Sequence, residues 1–315
     1  FAGTSTVNAG TLAINGTLGG TVTVNSGTVE GTGTIKGDAT IGAGTLAGRQ
    51  GDVLNVGGNL ALSSRSNVNV SLGAPSTATG LFNVAGNLTL AGTLNVTDLG
   101  GLGPGVYRVF DYAGTLTNNG LLIGSTPSGT NATDFSVQTA TSHQVNLVDT
   151  GGATVNFWDG GTVSNHNNGA IDGGNGIWNA TNDNWTTSSG SVNANWQNGQ
   201  FAIFSGQAGT VTVDDTAGAI SVLGMQFATD GYAVNGDAIT LGNAKTIVRV
   251  GTGGGALSTG ITATMASALT GTGGLEKTDS GTLVLSGSNT YTGGTIINGG
   301  TLSVSSDANL GAAAG

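Results

Sequence analysis

The chain has 315 residues, 60 of them glycine, with no cysteine, three prolines and a formal net charge of −10. Collagen is excluded, because it needs glycine at every third position beside abundant proline. Disorder is excluded too, because only 8% of the residues are charged while Val, Leu and Ile recur in alternating runs. Seven Lys and Arg against 17 Asp and Glu leave no basic cluster for phosphate, so no nucleic acid is expected as a partner. Without cysteine there is neither disulfide nor thiolate chemistry. No stretch reads as a signal peptide or a membrane-spanning helix, and both ends fall inside repeat-like text, so a fragment of a longer protein is expected.

Residues 1–50 are nearly pure repeat. T-L-A-I at 11–14, T-V-T-V at 21–24 and T-V at 28–29 alternate, and Thr11, Thr28 and Thr45 open similar steps 17 residues apart. A two-residue side-chain period marks strands, and Gly and Asn between such runs mark turns. In 51–100 the text V-G-G-N-L-A-L at 56–62 returns as V-A-G-N-L-T-L at 84–90, an offset of 28. Strands follow each copy at 67–72 and 93–99, and 74–79 reads as a corner loop. Residues 105–111 read as a strand on which Tyr107 and Phe110 fall on opposite faces, one of them toward solvent or under a loop. Residues 115–122 resume the pattern, 124–132 is a polar loop, and 135–139 with 144–148 can close as a hairpin.

Residues 151–205 break the rhythm. All four tryptophans, Trp158, Trp178, Trp185 and Trp196, lie here among Asn, Gly and Ser. Too few helix formers are present for a helix, so irregular rungs or an insertion held by aromatic packing are expected. Strands return at 210–213, 220–223, 226–228, 233–235, 239–241 and 246–250, and strand with turn at 261–269. The clearest rung spans 281–305, where Leu283 and Leu285 are echoed by Leu302 and Val304, 19 positions later.

One such rung has too little apolar surface to fold by itself, whereas stacked rungs share a continuous core, so an all-β solenoid is expected. Offsets of 17, 19 and 28 suggest about 20–24 residues per coil, about 13–15 coils and, at about 4.8 Å per coil, a single rod of roughly 60–70 Å. Three parts are expected: coils at 1–150, an irregular Trp-rich part at 151–205, and coils again at 206–315.

Three stretches resemble the secreted passenger domains of large Gram-negative autotransporters. The first is G-T-L-V-L-S-G-S-N-T-Y-T-G-G-T-I-I-N-G-G-T-L-S-V from Gly281, similar to the passenger-associated strand repeat. The second is F-W-D-G-G at 157–161 with G-G-N-G-I-W at 173–178 and Asn184-Trp185, with 162–172 inserted between elements usually closer together. The third is 223–241, with F-A-T-D-G-Y and G-D-A-I-T-L. The resemblance implies a right-handed parallel β-helix, export to the cell surface through a C-terminal outer-membrane barrel, and adhesion, aggregation or biofilm formation. Its implied partners are a host-cell or matrix receptor, a glycan, or another copy on a neighbouring cell.

The residues themselves favour binding over catalysis. Only His143 and His166 are present, no serine sits in a G-x-S-x-G frame, and no phosphate loop occurs. With no cysteine and two distant histidines no metal site is expected, and the G-G-x-G-x-D calcium pattern occurs once with Trp178 in the aspartate position. No cofactor is implied. Asp214 and Asp215 alternate if in a strand, so they suit a turn better than a paired acid site. A β-helical polysaccharide hydrolase or lyase, and a structural secretion scaffold, are the alternatives. The binding candidates are Trp158, Trp178, Trp185 and Trp196 with Asp159 and Asp183, since aromatic rings beside Asp and Asn stack on sugars or anchor a protein. The competing role of these rings is to plug the coil core.

Overall fold

The structure, a computed structural model, describes residues 2–73, 81–252 and 260–312. The corner loop expected at 74–79 lies outside the described residues. The chain forms an all-β architecture of largely parallel sheets arranged as a solenoid.

In the first stack the strands Ser5–Val7, Val22–Val24, Ala39–Ile41 and Leu60–Leu62 lie side by side in parallel, followed by Leu88–Asp98 and Leu116–Ile123. Ser5 stands opposite Val22, Val22 opposite Ala39, Ala39 opposite Leu60, Leu60 opposite Leu88 and Leu88 opposite Leu116. The rungs therefore lengthen from 17 to 21 to 28 residues, and the two offsets visible in the sequence are true structural registers. Alternation does the sorting: Val22, Val24, Ala39 and Ile41 are buried, while Thr23 and Thr40 between them face outward.

Asparagine and aspartate tie the corners together. Asn59 N donates to Asp38 Oδ1 at 2.7 Å, Asn87 N to Asn59 Oδ1 at 2.9 Å, and Thr115 N to Asn87 Oδ1 at 2.8 Å. Each side chain satisfies a backbone N–H of the next rung that the turn leaves without a ladder partner. Glycine is required where rungs touch at a corner. Gly31 has φ of 133°, and a Cβ there would sit 2.1 Å from the Ile14 carbonyl oxygen.

The first stack ends in a different pairing. The hairpin expected at 135–148 forms from Phe135–Gln138 and Gln144–Asp149, and its second strand also runs antiparallel to Gly105–Tyr112. The expectation for Tyr107 and Phe110 is corrected: both are buried in the same core. The register shifts between Arg108 and Phe110, and this bulge turns the second ring back to the side of the first.

The second stack repeats the plan. Val155–Trp158, Gln200–Phe204, Ile220–Phe227, Lys245–Val250, Gly274–Thr278 and Thr295–Ile297 form one parallel path. Gly176–Trp178, Thr210–Val213, Ala233–Gly236, Thr262–Met265, Thr282–Leu285 and Thr301–Val304 form another. Leu283 stands opposite Leu302 and Leu285 opposite Val304, so the 19-residue repeat is one rung on the next.

The expectation of one continuous apolar interior is also revised. One core runs from Val7 to Leu147 and another from Trp158 to Tyr291. Between them lies a third, smaller cluster: Val106, Val148, Phe157, Ile171, Phe201, Ile203 and Ala228. Gly105–Tyr112 and Gln200–Phe204 are largely buried on both faces, so each serves its own stack inward and the other stack outward. Gln226 sits at this junction, accepting from Val106 N at 2.7 Å and donating to Val106 O at 2.9 Å, as a neighbouring strand would.

One inward position carries a charge. Met225, Val248 and Lys277 form a core-facing row, and Lys277 is 0% exposed. Its Nζ donates to the carbonyls of Thr278, Asp279 and Gly299 at 2.6, 2.8 and 3.2 Å. Burial lowers its pKa from 10.5 to about 8, with Asp279 pulling the other way. The folded state then releases this proton more readily than the unfolded chain, so between those values stability rises with pH. From about pH 7.5 to about pH 9.5 the gain is about 2 kcal/mol, and Lys277→Met removes it. Urea titrations of both proteins at the two pH values check this; equal pH slopes would refute it.

Candidate functional site

The four tryptophans come together in the second core. Trp185 is central: its ring centroid lies 5.2 Å from that of Trp158, 4.9 Å from Trp178, 4.6 Å from Trp196 and 5.5 Å from Phe204. Phe204 stacks on Phe227 at 4.8 Å. Most of these tryptophan contacts are edge-on or tilted, the arrangement that ring quadrupoles favour. All four indoles are buried, so none offers a face to a ligand, and their place is interior packing.

The two aspartates divide. Asp183 is on the surface, its side chain 59% exposed, 3.5 Å from His166 Nδ1. Asp159 is fully buried. Its Oδ1 accepts from Asp172 N at 2.7 Å and its Oδ2 from Asn193 Nδ2 at 2.9 Å. Burial raises its pKa, and these hydrogen bonds oppose the rise. Asp159 thus closes segment 160–172, which holds the inserted 162–172, into a loop by gripping its far end.

That loop forms one wall of a cleft of about 490 Å³. The hairpin turn of the first stack, through Thr141 and Gln144, forms another, and 206–208 a third. The loop is tied to the first stack by Ile171 N donating to Ala140 O at 3.0 Å. The floor is backbone held from beneath. Trp158 Nε1 donates to Gly174 O at 2.8 Å, Gln207 N to Asp172 O at 2.7 Å, and Gly174 N to Gln207 O at 2.6 Å. The Tyr232 hydroxyl reaches the carbonyls of Ser205 and Gln207, both at 2.7 Å. Glycine is obligatory in this floor: at Gly173, with φ of 72°, a Cβ would lie 2.4 Å from the carbonyls of both Gln207 and Ser205.

The sequence candidates therefore stand around the cleft in unequal roles. Trp158 and Asp159 brace it, the other rings fill the core, and Asp183 does not line it. The lining residues Gln144, Asn165, Asn175 and Gln207 were missed. The signal that pointed to them was the inserted length at 162–172, which a bare rung does not need. Asp214 and Asp215 follow the end of Thr210–Val213. Asp214 accepts from the Thr216 hydroxyl and N–H, which lowers its pKa, while Asp237 beside Asp215 raises that carboxyl's. Among the described residues no group of three or more His, Asp or Glu is placed to hold a metal.

Parallel rungs, corner ladders and an insertion-built cleft define the class: a β-solenoid scaffold carrying one elaborated flank. The family described as Passenger-associated-transport-repeat matches residues 1–14 and 275–304. The chain is 53% identical over 193 residues to the Adhesin BmaC autotransporter of Brucella suis biovar 1 (strain 1330), an alignment covering 58% of this chain and 6% of that protein. The chain thus spans a small fraction of that relative's length. Its repeats at 1–14 and 275–304 are thus similar to those of autotransporter passengers. No solved structure matches it.

Proposed function

We propose that this chain is a non-catalytic segment of a surface-displayed passenger, acting in adhesion to host cells, matrix or neighbouring bacteria. The observation that carries the reading is the 53% identity to a protein named as an adhesin, joined to the passenger repeat at 275–304. In this reading the two stacks are right-handed β-helices presenting a rod, with coils at 1–150 and 206–315. The Trp-rich part at 151–205 furnishes the relief on which a partner is recognised. The rest of the protein supplies the C-terminal outer-membrane barrel, and the segment sits outside a Gram-negative cell.

The packing supports a scaffold that binds through its surface. The rings and apolar rows are spent on the interior, so contact falls to corners, loops and the cleft. Deleting 156–200 would remove four core rings and test folding instead of binding. The informative experiment keeps the fold: beads coated with this chain are applied to epithelial cells, to immobilised matrix proteins and to bacteria displaying the same passenger. Saturable binding to one of these surfaces, above that of beads carrying an unrelated solenoid, is expected. Binding no greater than that control on all three would refute the adhesive reading.

A further inference from the structure

We propose that the cleft between the 160–172 loop, the 139–144 turn and 206–208 is a carbohydrate subsite for a neutral sugar. It would take a terminal hexose or N-acetylhexosamine and reject acidic ones. This rests on the adhesive reading and assigns its contact point.

The chemistry of the lining sets the ligand class. Asp172 uses Oδ2 to accept from Asn168 at 2.8 Å, and among the described residues its Oδ1 has no protein partner. Asn175 uses its carbonyl oxygen to accept from Thr210 N at 2.7 Å, which leaves its NH₂ group for a ligand. The Gln207 side-chain amide makes no protein hydrogen bond among the described residues, and Thr162 makes no side-chain capping bond. One carboxylate acceptor among several amides and a hydroxyl is the complement of vicinal sugar hydroxyls, each of which both donates and accepts. An acetamido group fits the same set. No Lys, Arg or His lines the cleft, and the whole chain carries −10, so a carboxylated or sulfated sugar would meet repulsion without a counter-charge.

The cleft is also preorganised. Hydrogen bonds from Trp158, Gln207 N and Gly174 N, with the Tyr232 hydroxyl shared between two carbonyls, fix its floor before any ligand arrives, and Asp159 fixes the loop. Little ordering is left to oppose binding. Its volume falls in the range of small-ligand clefts, about 300–1,000 Å³. Hydrolysis is not implied. Asp172 is the single carboxylate in the lining, and Asp159 beneath it has both oxygens engaged, so the acid pair that glycoside cleavage uses is not assembled.

The test is a printed array carrying neutral glycans ending in galactose, N-acetylgalactosamine, N-acetylglucosamine or mannose, their sialylated and sulfated counterparts, and neutral bacterial O-polysaccharides. The intact chain is applied beside Gln207→Ala and Asp172→Ala. Gln207→Ala is the cleaner variant, because it removes a side chain with no protein hydrogen bond and leaves both backbone roles of Gln207 in place. Binding to neutral glycans is expected, with about a tenfold loss in each variant and an unchanged melting temperature for Gln207→Ala. Signal on host-type glycans or on O-polysaccharides distinguishes the two sources of the same chemistry. Undiminished binding in Gln207→Ala and Asp172→Ala, or preference for the acidic series, would overturn the proposal. If beads adhere to cells while no glycan binds, the cleft assignment fails and the adhesive reading survives. If neither binds, both fail.

Discussion

Replacing Trp185 by alanine is expected to destabilise the second stack by about 3–5 kcal/mol, the range for truncating a large buried aromatic. The ring touches Trp158, Trp178, Trp196 and Phe204, so its loss leaves a cavity bounded by rings that cannot all move inward. Trp178 and Trp196 also bear on one another at 5.0 Å, which limits their collapse. Trp185→Phe is expected to cost much less. It keeps part of the volume and removes an indole N–H that has no partner among the described residues. The effect should reach the cleft, because Trp158 leans on Trp185 and holds Gly174 from below. Chemical denaturation followed by tryptophan fluorescence measures the first effect. A cost under about 1 kcal/mol would mean that the ring cluster is not a packed core.

The periodic parts of this molecule were legible because their physics is local. Thr11, Thr28 and Thr45 announce a 17-residue rung, since each begins an inward–outward alternation after a corner of equal length. Val56–Leu62 and its copy at 84–90 announce the 28-residue rung in the same way. The bulge at Arg108 was not legible, because no glycine or proline marks it and alternation alone sends Phe110 to the wrong face. Nor was the pairing of two stacks. Phe201 and Ile203 look like one more core row, and only the partner surface, Val106 and Val148, shows that they face away from their own interior.

The cleft was half legible. The inserted length at 162–172 and the aromatic segment mark the part of the chain that borders the cleft. The ranking is inverted, though: rings offered as ligand platforms are interior, and amides that the sequence did not single out line the opening. Composition explains the inversion. In a chain so rich in Asn and Gly, Asn165 and Asn175 carry no contrast, whereas four tryptophans stand out wherever they serve. Lys277 shows the same limit from the other side. Its position in the alternation is inward, but a lysine is ordinarily read as outward, and only the three carbonyls around it make the interior place tolerable.

Arg249→Met is expected to cost about 3–5 kcal/mol and to loosen the contact between the stacks, because it strands a buried charge. Arg249 Nε lies 3.2 Å from Asp279 Oδ1, and both side chains are almost wholly buried. The guanidinium also donates through Nη1 to Pro104 O at 3.0 Å and sits 4.4 Å over the Tyr107 ring, so it binds the second stack to the first. Burial works against its charge, and Asp279 and Tyr107 together more than offset this, holding its pKa above the ordinary value. The pair should therefore be stronger evidence of docking than of net stability. Arg249→Met alone leaves Asp279 without its cation, but Arg249→Met with Asp279→Asn removes both charges and is expected to recover much of the loss. What the double variant does not recover is the tie to Pro104 and Tyr107. Small-angle scattering should then show a larger radius of gyration in both variants, while melting separates them. A single-variant cost below about 1 kcal/mol, or strict additivity in the double variant, would show that this ion pair does not fasten the two stacks.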